Sequence, residues 1–136
     1  MKEIQQIDDG VLIKLLSLIN EDELGIEIEV TLTVSGTHIS GIIINPITYF
    51  DGALQSIQHI KDPTLQRILT NQFEKLKEEY IKEKEDSEDE EFSPNFIHLK
   101  DAVFHTAAGQ MLHQNCPIWW RGKISSIDGF SLGCHI

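Results

Sequence analysis

Val11, Leu12, Leu15, Leu16 and Ile19 recur at the spacing of one helix face, behind Asp8-Asp9-Gly10. The two aspartates suit a helix N-terminus, and Asn20 is placed to close the helix. From Gly25 the period changes from 3.6 to two. Ile26, Ile28, Val30, Leu32 and Val34 alternate with Glu27, Glu29, Thr31 and Thr33, which predicts a half-buried strand with an acidic outer face. Ser35-Gly36 turns the chain, and a second, antiparallel strand follows over residues 38–44. Gly41 within it points to a bend or a close backbone approach. Ile42-Ile43-Ile44 is apolar on both faces, so another element must cover that end of the sheet.

Asn45-Pro46 and Asp62-Pro63 are two helix starts of the same kind, a capping side chain followed by proline at the first helical position. Phe50, Ala53, Leu54, Ile57 and Ile60 form the buried stripe of the first helix. Leu65, Ile68, Leu69, Phe73, Leu76 and Tyr80 form that of the second. The second helix is expected to fray near Lys84. Residues 95–105 read as a third strand, with Ile97, Leu99 and Val103 on one face and a bulge or bend at Lys100-Asp101. Residues 107–117 read as a loop. Asp128-Gly129 then predicts a terminal hairpin. Its first arm carries Trp120, Gly122 and Ile124 on one face; its second carries Phe130, Leu132, Cys134 and Ile136.

The pattern is α+β: a curved, mostly antiparallel sheet of about five strands, with an N-terminal helix and an inserted helical hairpin. Gly41, Gly122 and Gly133 inside strands favour strong bending, and an Sm-like or SH3-like, partly closed barrel is one form this order of elements can take. At 136 residues the chain is one domain, large enough to bury a core without disulfides or metal staples. Residues at about 82–94 read as a flexible acidic linker within it.

Charge narrows the function. Twenty-two acidic residues face eleven basic ones, for a net charge of −11. Such a surface repels phosphate backbones and anionic lipids, so neither nucleic acid nor membrane is an expected partner. Residues 78–91 hold nine acids against Lys82 and Lys84, and so carry seven of the eleven net negative charges. Of these, Asp86, Glu88, Asp89, Glu90 and Glu91 are candidate interaction residues, through multivalent attraction to a basic surface. The N-terminus lacks the basic and apolar regions of a secretion signal, and no apolar run approaches the ~20 residues of a bilayer span. The reading is a cytoplasmic protein, where a disulfide between Cys116 and Cys134 would be unusual.

Little in the chain points to catalysis. His105, His113, Cys116, Cys134 and His135 are the candidate metal ligands, but their spacing fits no standard zinc site. No local motif supports a Cys/His nucleophile pair, and there is no phosphate-binding glycine loop. No cofactor is expected, and purified protein should carry no stoichiometric zinc. Trp119, Trp120 and Arg121 are more informative. Adjacent strand residues point to opposite faces, so one tryptophan is core. Trp120, sharing a face with Ile124, is expected to be that one. Trp119 is then cheaper to truncate unless a helix covers its face. A surface tryptophan beside arginine is a common protein-binding hot spot, which makes Trp119, Arg121 and Lys123 candidate interaction residues.

Four blocks in order, Ile39-Ser40-Gly41, Tyr49-Phe50-Asp51, Phe96-Ile97-His98-Leu99-Lys100, and Trp120-Arg121-Gly122-Lys123-Ile124 with Asp128-Gly129-Phe130 and Leu132-Gly133, resemble the gas vesicle accessory protein U family of bacteria. The resemblance runs from about residue 15 to the end. It implies a small, non-enzymatic cytoplasmic protein made alongside gas vesicles, the gas-filled protein shells that give buoyancy. It implies self-association into homo-oligomers, and contact with the gas vesicle shell or other gas vesicle proteins during assembly or clustering. It implies no catalytic residues. It also implies a polar Ser/Lys-rich tail after the terminal hairpin, which the sequence, ending at Ile136, lacks; the acidic segment would then take over its associative role. The alternative from another class is an Sm-like oligomeric module binding RNA or a peptide.

Overall fold

Strict alternation makes Ile28–Val34 the first strand, β1. In the computed structural model, which describes residues 10–21, 27–86, 95–105, 111–112 and 118–133, Val30 and Leu32 are fully buried and Glu29 is exposed on the other face. Ser35 and Gly36 take φ of +50° and +80°, the left-handed pair that a two-residue hairpin matching the strand twist requires. Glycine adopts this φ freely. Ser35 is held there as its backbone N–H donates to Asp128 Oδ2 at 2.9 Å. β2 (Thr37–Ile44) returns antiparallel, with Val34 opposite Thr37.

β3 (Phe96–His105) pairs antiparallel with β2. Between Ser40 and Ile42 the register shifts, and the extra residue lies on β3 beside Asp101, whose φ is +52°. This bulge is where the broken alternation placed it, and it reverses the pleat. Ile97 and Leu99 before it share the core with Ala102 and Phe104 after it. Val103, expected on that face, is therefore displaced to the other. The Ala102 N–H that the bulge takes out of the ladder donates to the Ile118 carbonyl at 3.0 Å. Gly41 makes the expected close approach: a Cβ there would lie 3.2 Å from the Leu99 side chain and the Lys100 carbonyl. A two-residue strand, β4 (Met111–Leu112), pairs with the end of β3 inside the region read as loop. It is too short to show a period, and pairing with the end of β3, six to eight residues back in the chain, creates it.

The terminal hairpin does not form. β5 (Trp120–Lys123) pairs with β3, with Leu99 opposite Trp120, and β6 (Gly129–Leu132) pairs with β1, with Thr33 opposite Gly129. A 3-10 helix, Ile124–Ser126, redirects the chain between them. Asp128-Gly129 anchors the entry to β6 instead of making a turn: the Asp128 N–H donates to the Thr33 carbonyl at 2.8 Å while its carboxylate holds Ser35. The strand path is β5–β3–β2–β1–β6, with β4 on the same edge of β3 as β5. In a flat sheet β5 and β6 would stand four spacings apart, about 19 Å. Lys123 to Gly129, partly wound as 3-10 helix, spans only roughly 16 Å. The sheet must curl, and among the described residues it stays open between β5 and β6.

α1 (Gly10–Glu21) packs against one face of this sheet. Leu12, Leu16 and Ile19 are buried with Val30, Leu32, Ile43, Ile97 and Leu99, whereas Val11, assigned to the same face, is exposed. The buried stripe is the i, i+4, i+7 row alone. The helix runs one residue past Asn20, whose carbonyl accepts from Lys84 Nζ at 2.5 Å.

On the other face lies a second core of Ile44 with Tyr49, Phe50 and Ala53 of α2 (Pro46–Ile57). Asn45 caps α2 as its Oδ1 accepts the Thr48 N–H at 2.8 Å. Asn45→Ala should lower stability by about 1 kcal/mol, read as a shift of the urea midpoint with an unchanged slope; no shift would remove the cap from the account of α2. α3 (Pro63–Asp86) starts on Asp62, whose Oδ1 accepts the Thr64 N–H at 2.9 Å. It does not fray near Lys84 but continues to Asp86. Glu and Lys are good helix formers, and Lys84 is tied to the end of α1. Residues 82–86, read from sequence as the start of the linker, are helical.

Candidate functional site

Alternation along β5 sorts its side chains. Trp120 packs against the inner core with Ile124. Trp119, Arg121 and Lys123 share the opposite face, the one covered by α2 and α3. Trp119 is half-buried in the second core, and its ring fills the space beside Gly52 of α2: a Cβ on Gly52 would meet it at 2.3 Å. It is a packing residue seated on a glycine, and the exposed part of the candidate surface is Arg121 and Lys123. Trp120 is seated the same way over Gly122, where a Cβ would lie 2.2 Å from its ring.

Arg121 is the centre of the arrangement. Its guanidinium lies over the Phe96 ring at 3.9 Å and 6.0 Å from the centroid of Phe50. Its Nε–H donates to His98 Nε2 at 3.1 Å. His98 stands directly opposite Arg121 in the β3–β5 ladder and is only 4% exposed, with Tyr49 and Phe50 against its ring at 4.8 and 6.1 Å between centroids. A ring nitrogen that accepts carries no proton, so His98 is neutral with its hydrogen on Nδ1. Burial first, and the Arg121 charge second, push its pKa down to about 3. Burial raises Tyr49 and pushes Tyr80 up to about 12. These three groups are therefore held in their neutral forms, far from the poise that proton transfer near neutral pH requires.

A cavity of about 300 Å³ opens between α3 and the β3–β5 face. Phe50, Tyr80, Phe96 and His98 form its aromatic wall, with Arg121 on one side and Glu79 and Glu83 of α3 on the other. Nearby, Lys100 is paired with Glu27, and Lys77 with Asp51 at 2.6 Å. The structure thus brings Trp119, Arg121 and Lys123 together on one face. Asp86 is exposed at the end of α3, while Glu88, Asp89, Glu90 and Glu91 lie outside the described residues. So do His113, Cys116, Cys134 and His135. Among the described residues, no group of three or more His, Cys, Asp or Glu is arranged to hold a metal ion.

Sequence reasoning singled out Arg121 but missed His98 and Phe96, the two residues that position it. The signal was present in outline. Phe96 and His98 alternate with the buried Ile97 and Leu99, so they face the same side of the sheet; only the β3–β5 register puts them under Arg121. A family model described as gas vesicle protein GvpU-like matches residues 9–135, nearly the whole chain. No curated protein and no solved structure matches it.

Proposed function

Since the chain belongs to the gas vesicle protein GvpU-like family, we propose that it is a non-enzymatic accessory protein that associates with itself and contacts gas vesicles, acting in their assembly or clustering. The observation that carries this reading is the extent of the family match, which takes in both cores and the Arg121 face. The neutral, locked state of His98 and the buried tyrosines supports a binding role over acid–base chemistry. No helix among the described residues is long and apolar enough to cross a membrane, which suits a protein that works on shells in the cytoplasm. The contacting groups are Arg121 and Lys123, with the acids Asp86, Glu88, Asp89, Glu90 and Glu91 supplying attraction to basic surfaces. The curled strand path also suits an Sm-like module, but a net charge of −11 opposes RNA.

Flotation separates these readings. Purified protein mixed with intact gas vesicles should rise with them on centrifugation. The bound fraction should fall as salt rises and when the five acids are changed to Gln or Asn. Charges on exposed groups act over roughly 8–10 Å at physiological salt and further at lower salt, so the bound fraction should change most below physiological ionic strength. Protein that stays in the liquid beneath the vesicles at every salt concentration would defeat the proposal, and a salt-sensitive RNA complex would favour the alternative.

A further inference from the structure

Arg121 and Glu79 line the cavity between α3 and the β3–β5 face from its two sides. Among the described residues the ion pairs are those of Lys77 with Asp51 and of Lys100 with Glu27, so Arg121 and Glu79 pair neither with each other nor with another charge. Glu83, one turn on from Glu79, is engaged within the chain. The guanidinium is nonetheless fixed. Phe96 lies against its plane, and its Nε–H is taken by His98 Nε2. That closes side-on recognition through Nε. What remains is the end-on fork of Nη1 and Nη2, which a single carboxylate fills. Between the two charges the wall is made by Phe50, Leu76, Tyr80 and Phe96. At about 300 Å³ the space is at the lower end of small-ligand sites.

The signs of these groups and the apolar wall between them select the ligand. A simple anion would meet Arg121 but be repelled by the acidic wall of α3, in a chain whose net charge is already −11. A simple cation would meet Glu79 but bring a like charge towards Arg121. A molecule with both charges, joined by an apolar stem, satisfies each end and covers the aromatic wall with the stem. We propose that the cavity binds a carboxylate and an ammonium held apart by a flexible methylene chain, as in an ω-amino acid or a lysine with a free chain end. This names what Arg121 recognises, and in that it rests on the contact role given to Arg121 above.

Proton–nitrogen NMR of the full chain tests it, with ε-aminocaproate, caproate and hexylamine as probes. ε-Aminocaproate should shift the Arg121 Nε–H resonance and bind about fivefold more tightly than either single-charge analogue. Arg121→Lys keeps the charge and removes the fork. It should weaken ε-aminocaproate and caproate about fivefold and leave hexylamine within about twofold. Glu79→Gln should do the reverse, weakening ε-aminocaproate and hexylamine about threefold and tightening caproate. Both residues are exposed, and circular dichroism checks the fold of each variant. Equal affinity for the three probes would overturn the proposal. So would affinities that neither variant changes, or an Arg121 resonance that stays in place at saturating ε-aminocaproate. A peptide ending in lysine separates the sources. Binding with a free carboxylate but not as the amide supports the site as one for a protein chain end, and binding of ε-aminocaproate alone supports it as one for a free amino acid. Flotation keeps this inference distinct from the proposed function. Probe binding with flotation undisturbed by saturating ε-aminocaproate would uphold the site and remove it from vesicle contact. Flotation lost in Arg121→Lys, with no probe bound by wild type, would overturn the site and leave the contact role of Arg121 intact.

Discussion

Truncation of either tryptophan should be among the most costly single changes in this protein. Trp120→Ala is expected to lose about 3–5 kcal/mol and Trp119→Ala about 2–4 kcal/mol, because each empties a seat that the fold has shaped for an indole. Trp120 lies over Gly122 against the core that α1 closes. Trp119 lies against Gly52 in the core beneath α2. Gly52 is fixed in α2 and Gly122 in the β3–β5 ladder, so neither backbone is free to relax into the space its tryptophan leaves. The expectation that Trp119 is cheap applied only if its face were open, and α2 covers it. Urea midpoints of the two variants decide the matter, provided the slopes match wild type. A Trp119→Ala variant as stable as wild type would return Trp119 to the surface and reopen it as a contact residue.

The second large effect is on the pH dependence of stability. His98 ionises near 6.5 in the unfolded chain and near 3 in the folded one. The unfolded state therefore binds more protons across that window, and stability must rise with pH through it. The contribution of the neutral ring is complete above about pH 6.5 and is lost as the solution is acidified towards pH 3. The slope approaches ~1.4 kcal/mol per pH unit, so about 2–3 kcal/mol should be gone by pH ~4.5. The cause is local: an imidazolium would sit without water between Tyr49 and Phe50, facing the guanidinium whose Nε–H it now accepts. His98→Gln keeps an acceptor for Arg121 and removes the titration. Its urea midpoint should be nearly flat from pH 7 to 5.5, above the range where most carboxylates titrate, while that of wild type falls. Parallel curves for the two proteins in this interval would mean that His98 is not held neutral by the fold.

Both effects bear on the candidate surface. Arg121 is pre-positioned because Phe96 lies under its plane and His98 fixes its Nε, so little side-chain freedom remains to be lost on binding. Lys123, two residues on, is exposed on the same face of β5.

The reach of the sequence can be judged element by element. The Ile28–Val34 alternation, the Ser35-Gly36 turn, the Asn45-Pro46 and Asp62-Pro63 caps and the Asp101 bulge were all legible, because each depends on sterics and hydrogen bonds within a few residues. The family resemblance was legible too, in blocks that the fold later places on β2, α2, β3, β5 and β6. Everything that required two distant segments to meet was not. Asp128-Gly129 has the local chemistry of a hairpin, yet Thr33 and Ser35 capture Asp128 from almost a hundred residues away and send β6 to β1. Val103 left the core because an upstream bulge inverted the pleat, a shift that period counting cannot follow across the break. His98 reads in the sequence as an ordinary strand histidine. Its neutrality comes from α2 on one side and Arg121 on the other, and burial under remote elements leaves no mark on the residues beside it. Local periodicity and capping thus determined which segments become helix or strand. The tertiary structure decided which edges pair, which tryptophan face is covered and which charges are held, because those outcomes turn on desolvation and contact between parts of the chain far apart in sequence.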